Sequence, residues 1–346
     1  MKIKILEREL YKQMNNLENL GESSVINLLQ IYIDRSDLLG TNEDAYLYKN
    51  ILPYILVNVD TMSRDSDFLP KQTWKQLGAK LVTITFSDLV AKGATPDLFL
   101  SSLVLEGSMK EDELKELVSA IQKTSHQYGA RYLGGDLGSS TETVLTGVGL
   151  GSIKKGNILT RRDAKKGDLV CVTGYFGLTT IGLDYLLSPM NRKYDPIPDE
   201  LLELSMKLLH EPQLRLTEGL LLSKNSLATS SIDSSDGLAI SLHWLSQASN
   251  VGIIVNNLPI YPELESFLES FDMIQDVSLF GGEEYELIFT VPPSKLEKLK
   301  HIFRKHKCQF FIIGECVDSK GVFVSQKESL TPVPMKGWDT FRKEVL

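Results

Sequence analysis

The apolar residues of this chain alternate between strand-like and helix-like spacing, and the alternation occurs twice. The first round begins at an apolar strand over 54–60, and the second begins at a strand over 169–174 that leads into a turn. A polar, turn-rich segment at 154–168 separates them, as is typical of a domain boundary. The pattern predicts an α/β or α+β fold in two domains, residues 1–153 and 154–346.

The same periodicity predicts individual elements. In the first domain, helices are expected at 5–20, 23–34, 74–92 and 111–128, and strands at 54–60, 98–105, 131–136 and 143–153. In the second domain, helices are expected at 176–187, 199–209, 214–225, 237–248 and 296–305, and strands at 169–174, 231–236, 252–255, 285–291 and 310–313.

Composition excludes several classes of function. The 346 residues are 42% hydrophobic, which is enough for a sizeable core, and 37 basic against 45 acidic residues give a net charge of −8. A nucleic-acid partner is not expected, since phosphate backbones select basic surfaces. The three cysteines, Cys171, Cys308 and Cys316, form no C-x-x-C pair, so a reducing compartment fits best. With no apolar run near 20 residues, we expect a cytoplasmic protein with no membrane partner.

Aspartates recur at the ends of the predicted strands. Each could be a helix cap, a turn residue or a solvated strand end. Asp88 is the exception, because it lies inside an apolar helix where capping cannot explain it and where Asp is a poor helix former. A set of carboxylates without His or Cys favours Mg²⁺ over zinc. The acids concerned are Asp44, Asp60, Asp88, Asp136, Asp233 and Asp236.

Other phosphate-binding and catalytic motifs are missing from the sequence. It contains no P-loop, no kinase glycine loop, no H-E-x-x-H and no G-x-S-x-G, and Ser152 breaks the dinucleotide pattern that Gly147 begins. Glycines do flank the acids, at 134–135, 237 and 281–282. They either form turns or let backbone N–H groups approach an anion. Arg161 is either a solvated linker residue or a phosphate clamp.

Taken in order, these residues resemble the thiamine-monophosphate kinase family, which shares a superfamily with aminoimidazole ribonucleotide synthetase, selenophosphate synthetase and a hydrogenase maturation protein. The resemblance extends over about residues 40 to 341. The Gly-Gly-Glu-x-Tyr-Glu-Leu and terminal Gly-Trp-Asp stretches are the most specific to the thiamine branch. The matching stretches are Asn42-Glu-Asp-Ala, Val59-Asp-Thr-Met, Phe86-Ser-Asp-Leu-Val-Ala-Lys-Gly-Ala-Thr-Pro-Asp, Gly134-Gly-Asp136, Leu159-Thr-Arg, Gly167-Asp-Leu-Val-Cys-Val-Thr-Gly, Ile232-Asp-Ser-Ser-Asp-Gly-Leu, Gly281-Gly-Glu-Glu-Tyr-Glu-Leu and Met335-Lys-Gly-Trp338-Asp.

The resemblance implies an N-terminal domain that forms a homodimer through its sheet and a C-terminal α/β domain, with ATP and several Mg²⁺ ions in the cleft between them. It implies three groups of site residues. The Mg²⁺ ligands would be Asp44, Asn58, Asp60, Asp88, Asp136, Asp233 and Asp236, of which Asp60, Asp88 and Asp136 would be catalytic. The ATP contacts would be Gly135, Asp136, Arg161 and Ser235. The contacts to the acceptor would be Asp67, Glu283 and Trp338.

Two positions depart from the family pattern. Glu43 stands where the family has a second aspartate, and Asp67 replaces a histidine that contacts the substrate. A carboxylate would repel an incoming phosphate unless Mg²⁺ intervenes, and Arg64 could supply the lost positive charge.

The implied reaction transfers the γ-phosphoryl group of ATP to thiamine monophosphate. The acceptor phosphate is already ionised near neutral pH, since its second pKa is about 6, so no strong general base is required. One alternative is another enzyme of the superfamily, of the aminoimidazole ribonucleotide synthetase type. Another is a regulatory protein that binds nucleotide without catalysis, because a fold does not guarantee an activity.

Overall fold

A computed structural model describes residues 30–32, 54–153, 158–327 and 329–337. The chain divides into two compact units, one within 1–86 and 96–152 and the other within 87–95 and 153–346. The second unit therefore takes a short segment from the middle of the first, which a single boundary after residue 153 does not anticipate. As an assignment of roles to two domains, the division at 153 stays a prediction.

The first unit is built around a four-stranded sheet with strand order β1-β4-β2-β3, in which β2 and β3 run parallel. Helix α2 continues past Phe86 into the second unit. The predicted strands and helices between residues 54 and 153 are confirmed, with ends shifted by a few residues. The elements are β1 (Tyr54–Ser63), α1 (Arg64–Asp67), α2 (Trp74–Ala91), β2 (Thr95–Leu105), α3 (Glu111–Gln127), β3 (Arg131–Ser139) and β4 (Val144–Ile153).

Two helices of this unit bury apolar side chains. In α3, Leu114, Leu117 and Ile121 are fully buried, because their spacing places them on one face of the helix. In α2, Phe86 is buried and meets Phe99 of β2 edge to face at 5.5 Å. This contact packs α2 against β2. Strand β1 lies at one edge of the sheet.

The second unit holds a seven-stranded sheet with strand order β11-β10-β7-β9-β5-β8-β6. Only the pair β7–β10 is parallel among the pairs described. The elements are β5 (Leu169–Val172), α4 (Leu178–Leu187), α5 (Asp199–His210), α6 (Leu216–Lys224), β6 (Ser230–Ser234), α7 (Leu238–Ser249), β7 (Gly252–Val255), α8 (Pro262–Phe267), α9 (Phe271–Leu279), β8 (Glu286–Val291), α10 (Leu296–Lys305), β9 (Phe311–Val317), β10 (Gly321–Gln326) and β11 (Ser329–Pro332).

One hydrophobic cluster of the second unit joins α7 to the sheet, with Leu242 and Ile288 fully buried in it. Another joins α6 and α10 to the sheet and includes Val90 and Ala91, from the end of α2. This is why residues 87–95 belong to the second unit.

The predicted elements of the second unit are confirmed, with ends shifted by a few residues, but α8, α9, β10 and β11 were not anticipated. The predicted helix at 5–20 lies outside the described residues, and that at 23–34 is described only at Gln30–Tyr32, a single 3₁₀ turn. Across the described ranges, no helix has both the length and the apolar character needed to cross a membrane.

Candidate functional site

The end of strand β6 carries a buried carboxylate. Asp233 is buried, and its Oδ2 accepts a hydrogen bond of 2.6 Å from the hydroxyl of Ser87, which is also buried. Ser87 lies in α2, 146 residues earlier. A buried carboxylate is costly unless hydrogen bonds or opposite charges compensate it, so Ser87 stabilises Asp233 in one orientation. The sequence predicted a role for Asp233 but none for Ser87.

Asp88 differs from what the sequence suggested. Its side chain is 38% exposed, and its Oδ1 lies 4.0 Å from a terminal guanidinium nitrogen of Arg161. The sequence predicted that this carboxylate lies in apolar surroundings, and that prediction is wrong. Asp88 is half-exposed and forms a long ion pair, because this position of α2 faces out of the core. Such a pair contributes at most about 1 kcal/mol.

Lys92 adds a cation for which the sequence predicted no role. Its Nζ donates a hydrogen bond of 3.2 Å to the carbonyl of Ser231 on β6. Burial, and then the positive charge of Arg161, lower the pKa of Lys92 to about 8, while Asp233 and Asp88 act in the opposite direction. Two carboxylates and two cations thus share one electrostatic neighbourhood of the second unit.

Arg161 is held on three sides. Its guanidinium lies 5.5 Å from the ring centroid of Trp244, its carbonyl accepts a hydrogen bond of 2.7 Å from Ser249, and its head group reaches Asp88. Its Nε is buried and has no hydrogen-bond partner within the described ranges. The side chain is nevertheless 40% exposed, and an oriented guanidinium with an exposed part is suited to an anionic ligand.

The turn after β6 places the remaining predicted residues of this unit. The carbonyl of Ser235 accepts a hydrogen bond of 2.7 Å from the backbone N–H of Glu283. Asp236 follows and is half-buried. Gly237 has φ +109°, and a Cβ there would lie 2.1 Å from the carbonyl oxygen of Gly281. This glycine is needed for the close approach of the two loops, whatever ligand they bind.

Glu283 lies in a loop with unusual backbone conformation, since it has φ +69° and Tyr285 has φ +53°. Between them, Glu284 is buried and accepts a hydrogen bond of 2.8 Å from Thr179. Burial raises the pKa of Glu284 to about 8. The next acid, Glu286, is paired with Arg215, whose Nε donates to it at 2.6 Å.

In the first unit, Asn58 and Asp60 lie on β1 and are in contact. The Nδ2 atom of Asn58 donates to Oδ2 of Asp60 at 2.5 Å and to the carbonyl of Thr85 at 3.2 Å. Both side chains are half-buried. The amide therefore orients the carboxylate through a charge-assisted hydrogen bond.

Gly135 and Asp136 lie on β3, the opposite edge strand, and both are exposed. A Cβ on Gly135 would lie 1.7 Å from the carbonyl oxygen of Ser101 on β2, so strand pairing alone explains this glycine. Two strands separate β3 from β1. The sheet therefore does not make Asp60 and Asp136 neighbours.

The carboxylate of Asp67 accepts hydrogen bonds from residues just before it in the chain. Its Oδ2 accepts hydrogen bonds from the N–H of Ser63 at 2.7 Å and from the hydroxyl of Ser66 at 2.6 Å. Arg64 lies 3.0 Å from Glu106 and 5.6 Å from the ring centroid of Trp74. The cation that could have compensated Asp67 is therefore paired with another acid.

The residues predicted to bind metal are spread over both units. Within the ranges 30–32, 54–153, 158–327 and 329–337, no three His, Cys, Asp or Glu residues form a group that could hold a metal ion. Asp44 and Trp338 lie outside the described residues. The oxygen-only donor set of Asp88, Asp233 and Asp236 fits Mg²⁺ in its chemistry.

Comparison with known proteins identifies the family. Residues 42–153 match the N-terminal domain of AIR synthase related proteins, and residues 165–327 match the C-terminal domain. Thiamine-monophosphate kinase of Pyrococcus abyssi is 33% identical over 93% of this chain and 96% of its own length.

Two solved structures are also similar. The crystal structure of thiamine-monophosphate kinase from Stenotrophomonas maltophilia K279a has a TM-score of 0.76 and 27% identity, over 89% of this chain and 97% of that one. AaThiL complexed with AMPPCP and TMP has a TM-score of 0.71 and 26% identity, over 94% of this chain and 98% of that one. The chain therefore belongs to the thiamine-monophosphate kinase family of the AIR synthase related proteins.

Proposed function

We propose that this protein transfers the γ-phosphoryl group of ATP to the phosphate of thiamine monophosphate, forming thiamine diphosphate and ADP. In the structure, the observation that carries the proposal is the grouping of Asp88 and Asp233 with Lys92 and Arg161. The binding of AMPPCP and TMP by AaThiL supports it, since one is an unreactive ATP analogue and the other the proposed acceptor.

The chemistry asks the protein to position charges and not to abstract a proton. A phosphate monoester loses its second proton with a pKa of about 6, so the acceptor oxygen is already a nucleophile. The obstacle is the repulsion between two polyanions. Arg161 offers a guanidinium whose side chain is 40% exposed, and Lys92 adds a second positive charge beside it.

Mg²⁺ would be held by the predicted acids, in the second unit by Asp88, Asp233 and Asp236. When bound, it supplies charge neutralisation and orientation of phosphate oxygens. Asn58 and Asp60 lie on one edge strand and Asp136 on the other, so we expect them to serve different ions, as the prediction of several ions requires. Asp44 would complete the set.

The remaining contacts stay predictions. Gly135, Asp136, Arg161 and Ser235 would contact ATP, and Glu283 and Trp338 the thiamine moiety. Asp67 would contact the acceptor only if its hydrogen bonds with Ser63 and Ser66 are broken. We therefore expect Asp67 to shape the turn that borders the acceptor.

The first experiment measures ADP release by the purified protein with ATP and Mg²⁺, with and without thiamine monophosphate, and identifies the product by mass. The expected result is ADP release that depends on the acceptor, with thiamine diphosphate as product. Turnover only with the substrate of aminoimidazole ribonucleotide synthetase would instead indicate that reaction. Binding of ATP with no turnover would indicate a regulatory protein.

A homodimer through the first sheet is the second part of the proposal. Strand β1 lies at the sheet edge, and its side chains Val57 and Val59 are 60% and 56% exposed. An apolar edge strand is a template for pairing with another chain. Light scattering after size exclusion should give twice the chain mass of 38.7 kDa.

Substitution tests this surface. The double variant Val57→Asp with Val59→Asp should elute as a monomer, because two charges would be buried at the interface. Leu330→Asp is the matched control, since Leu330 is an exposed apolar residue on β11, an edge strand of the other sheet. A wild-type monomer, or a dimer that survives the double variant, would contradict this interface.

The compartment also stays a prediction. In the structure Cys171, Cys308 and Cys316 are free, which is compatible with the reducing cytoplasm where ATP is supplied. Neither nucleic acid nor membrane has a part in the proposed reaction.

A further inference from the structure

The loop at 281–285 is held in a conformation that its residues do not prefer. It joins α9 to β8, and two of its non-glycine residues, Glu283 and Tyr285, have positive φ angles of 69° and 53°. Such a conformation is unfavourable for a residue with a Cβ, and it persists only where the surroundings impose it. The contacts that impose it therefore determine where Glu283 lies.

The first set of contacts joins the loop to the end of β6. The backbone N–H of Glu283 donates to the carbonyl of Ser235 at 2.7 Å, and that of Tyr285 donates to the carbonyl of Ser234 at 2.8 Å. The two strained residues are thus the two that bond to the segment carrying Asp233. Through these bonds the predicted acceptor contact keeps a fixed position relative to a predicted ATP contact.

The second contact comes from the residue between them. Glu284 is buried, and its Oε1 accepts a hydrogen bond of 2.8 Å from the hydroxyl of Thr179, in the first turn of α4. Its Oε2 is buried and has no hydrogen-bond partner among the residues that the structure describes. Burying a carboxyl group is costly. We therefore expect a side chain buried in this position to have a structural or functional role.

The Oε1 atom of Glu284 is directed at Thr179 of α4, so we place this side chain behind Glu283 and not against a substrate. One peptide bond joins Glu284 to each of the two strained residues, which makes it the anchor that opposes their relaxation. Burial also raises its pKa to about 8, with the carboxylates of Glu286 and Glu283 adding to the effect. A neutral carboxyl group in this place can remain buried at neutral pH without a counter-ion.

We propose that Glu284, held by Thr179, is a positioning residue for the acceptor: it keeps the loop at 281–285 strained so that Glu283 faces thiamine monophosphate. The proposal rests on the proposed function. It assigns Glu284 to acceptor binding and not to ATP binding or to the chemical step.

The test compares pairs of variants that change one hydrogen bond. Thr179→Val removes the donor with little change of volume, and Thr179→Ser keeps it. Glu284→Ala removes the acceptor, and Glu284→Gln keeps an amide oxygen in a neutral side chain of the same shape. Steady-state kinetics with each substrate varied separately give kcat, the KM for thiamine monophosphate and the KM for ATP.

We expect Thr179→Val and Glu284→Ala to raise the KM for thiamine monophosphate by about threefold to tenfold, the value of one neutral hydrogen bond. The KM for ATP and kcat should stay within about twofold, and Thr179→Ser and Glu284→Gln should be close to wild type at pH 7. The matched control is Ser205→Ala, which removes a buried hydroxyl bond of 2.7 Å to Leu201 in α5. It should lower the melting temperature and leave both KM values unchanged.

Equal increases in both KM values, or none in Thr179→Val and Glu284→Ala, would overturn the assignment. If Glu284→Ala does not fold, the Thr179 pair decides the question alone. A wild-type protein without acceptor-dependent turnover would overturn the proposed function and this inference together. An active wild type with unresponsive variants would overturn only the inference.

Discussion

In the first unit, Asp60 and Asp136 lie on the two opposite edge strands of a four-stranded sheet, and Asp136 is exposed to solvent. In the second unit, Asp233 lies on an edge strand too, but it is buried and bonded to Ser87. The acids are of the same type and occupy similar places at strand edges. They differ in how far each carboxylate is buried and held by hydrogen bonds within the protein before a ligand binds.

That difference has a physical consequence for ligand binding. A buried carboxylate with a fixed hydrogen-bond donor keeps its orientation before any ligand arrives, because moving it would leave a buried charge uncompensated. An exposed carboxylate is solvated and free to change rotamer at little cost. We therefore expect Asp233 to offer a ligand a carboxylate of fixed orientation, and Asp136 to become ordered only when a ligand binds.

The largest effect is expected from Asp88→Asn. Loss of the carboxylate should lower kcat by about a thousandfold, the scale found for one electrostatic group at a reacting centre. The melting temperature should change little, since the side chain is 38% exposed and its ion pair is long. Turnover assays and thermal unfolding measure the two quantities. Asp272→Asn, at an exposed position in α9, is the control, and normal turnover in Asp88→Asn would remove this residue from the site.

The next effect concerns pH and Glu284. Its pKa is about 8 in the folded protein and 4.5 as the ordinary value, so the folded state holds a proton that the unfolded state has released between these values. Its contribution to the free energy of unfolding therefore falls as pH rises from about 4.5 to 8 and is constant above 8. Glu284→Gln has no such loss. Urea unfolding should show the variant gaining stability relative to wild type by a few kcal/mol across that window, and a pH-independent difference would contradict the pKa of Glu284.

The smallest effect is expected from removing a serine hydroxyl that bonds to an aspartate, and it is compared between a buried and an exposed position. Ser87 and Ser66 both lie in helices, and each donates a hydrogen bond of 2.6 Å to Oδ2 of an aspartate. Ser87→Ala should lower the free energy of unfolding by about 1–3 kcal/mol, because Asp233 stays buried without its donor. Ser66→Ala, in the exposed turn of Asp67, should change it by less than about 0.5 kcal/mol. Equal losses in urea unfolding would mean that the two units hold their acids alike.

Long periodic elements were the predictable part of the fold. Helix α3, of 17 residues, is confirmed because its apolar residues fall on one face, and strand β1, of ten residues, is confirmed because it begins with an apolar run. The helices α8 and α9 were missed, since they are only six and nine residues long and their apolar spacing is too brief to stand out.

The site was predictable as a list of acids but not as a set of contacts. Asp88 was expected in apolar surroundings, because the sequence around it is apolar, but an apolar helix still has one face that leaves the core. Ser87 and Lys92 lie in the motif that begins at Phe86, but the sequence alone predicted no role for either residue. The bond from Ser87 to Asp233 joins residues 146 positions apart, and no local pattern encodes such a pairing.

The segment 87–95 has a consequence for how the protein is made. Val90 and Ala91 belong to the same hydrophobic cluster as Leu299 and Phe303, which leave the ribosome about 200 residues later. At roughly 5–20 residues per second, that interval is of the order of tens of seconds. During translation Val90 and Ala91 cannot pack against Leu299 and Phe303 until those residues have been synthesised. A fragment beginning at residue 153 lacks Val90 and Ala91 altogether. The boundary at which the two units could be exchanged or expressed separately is thus not one cut but three.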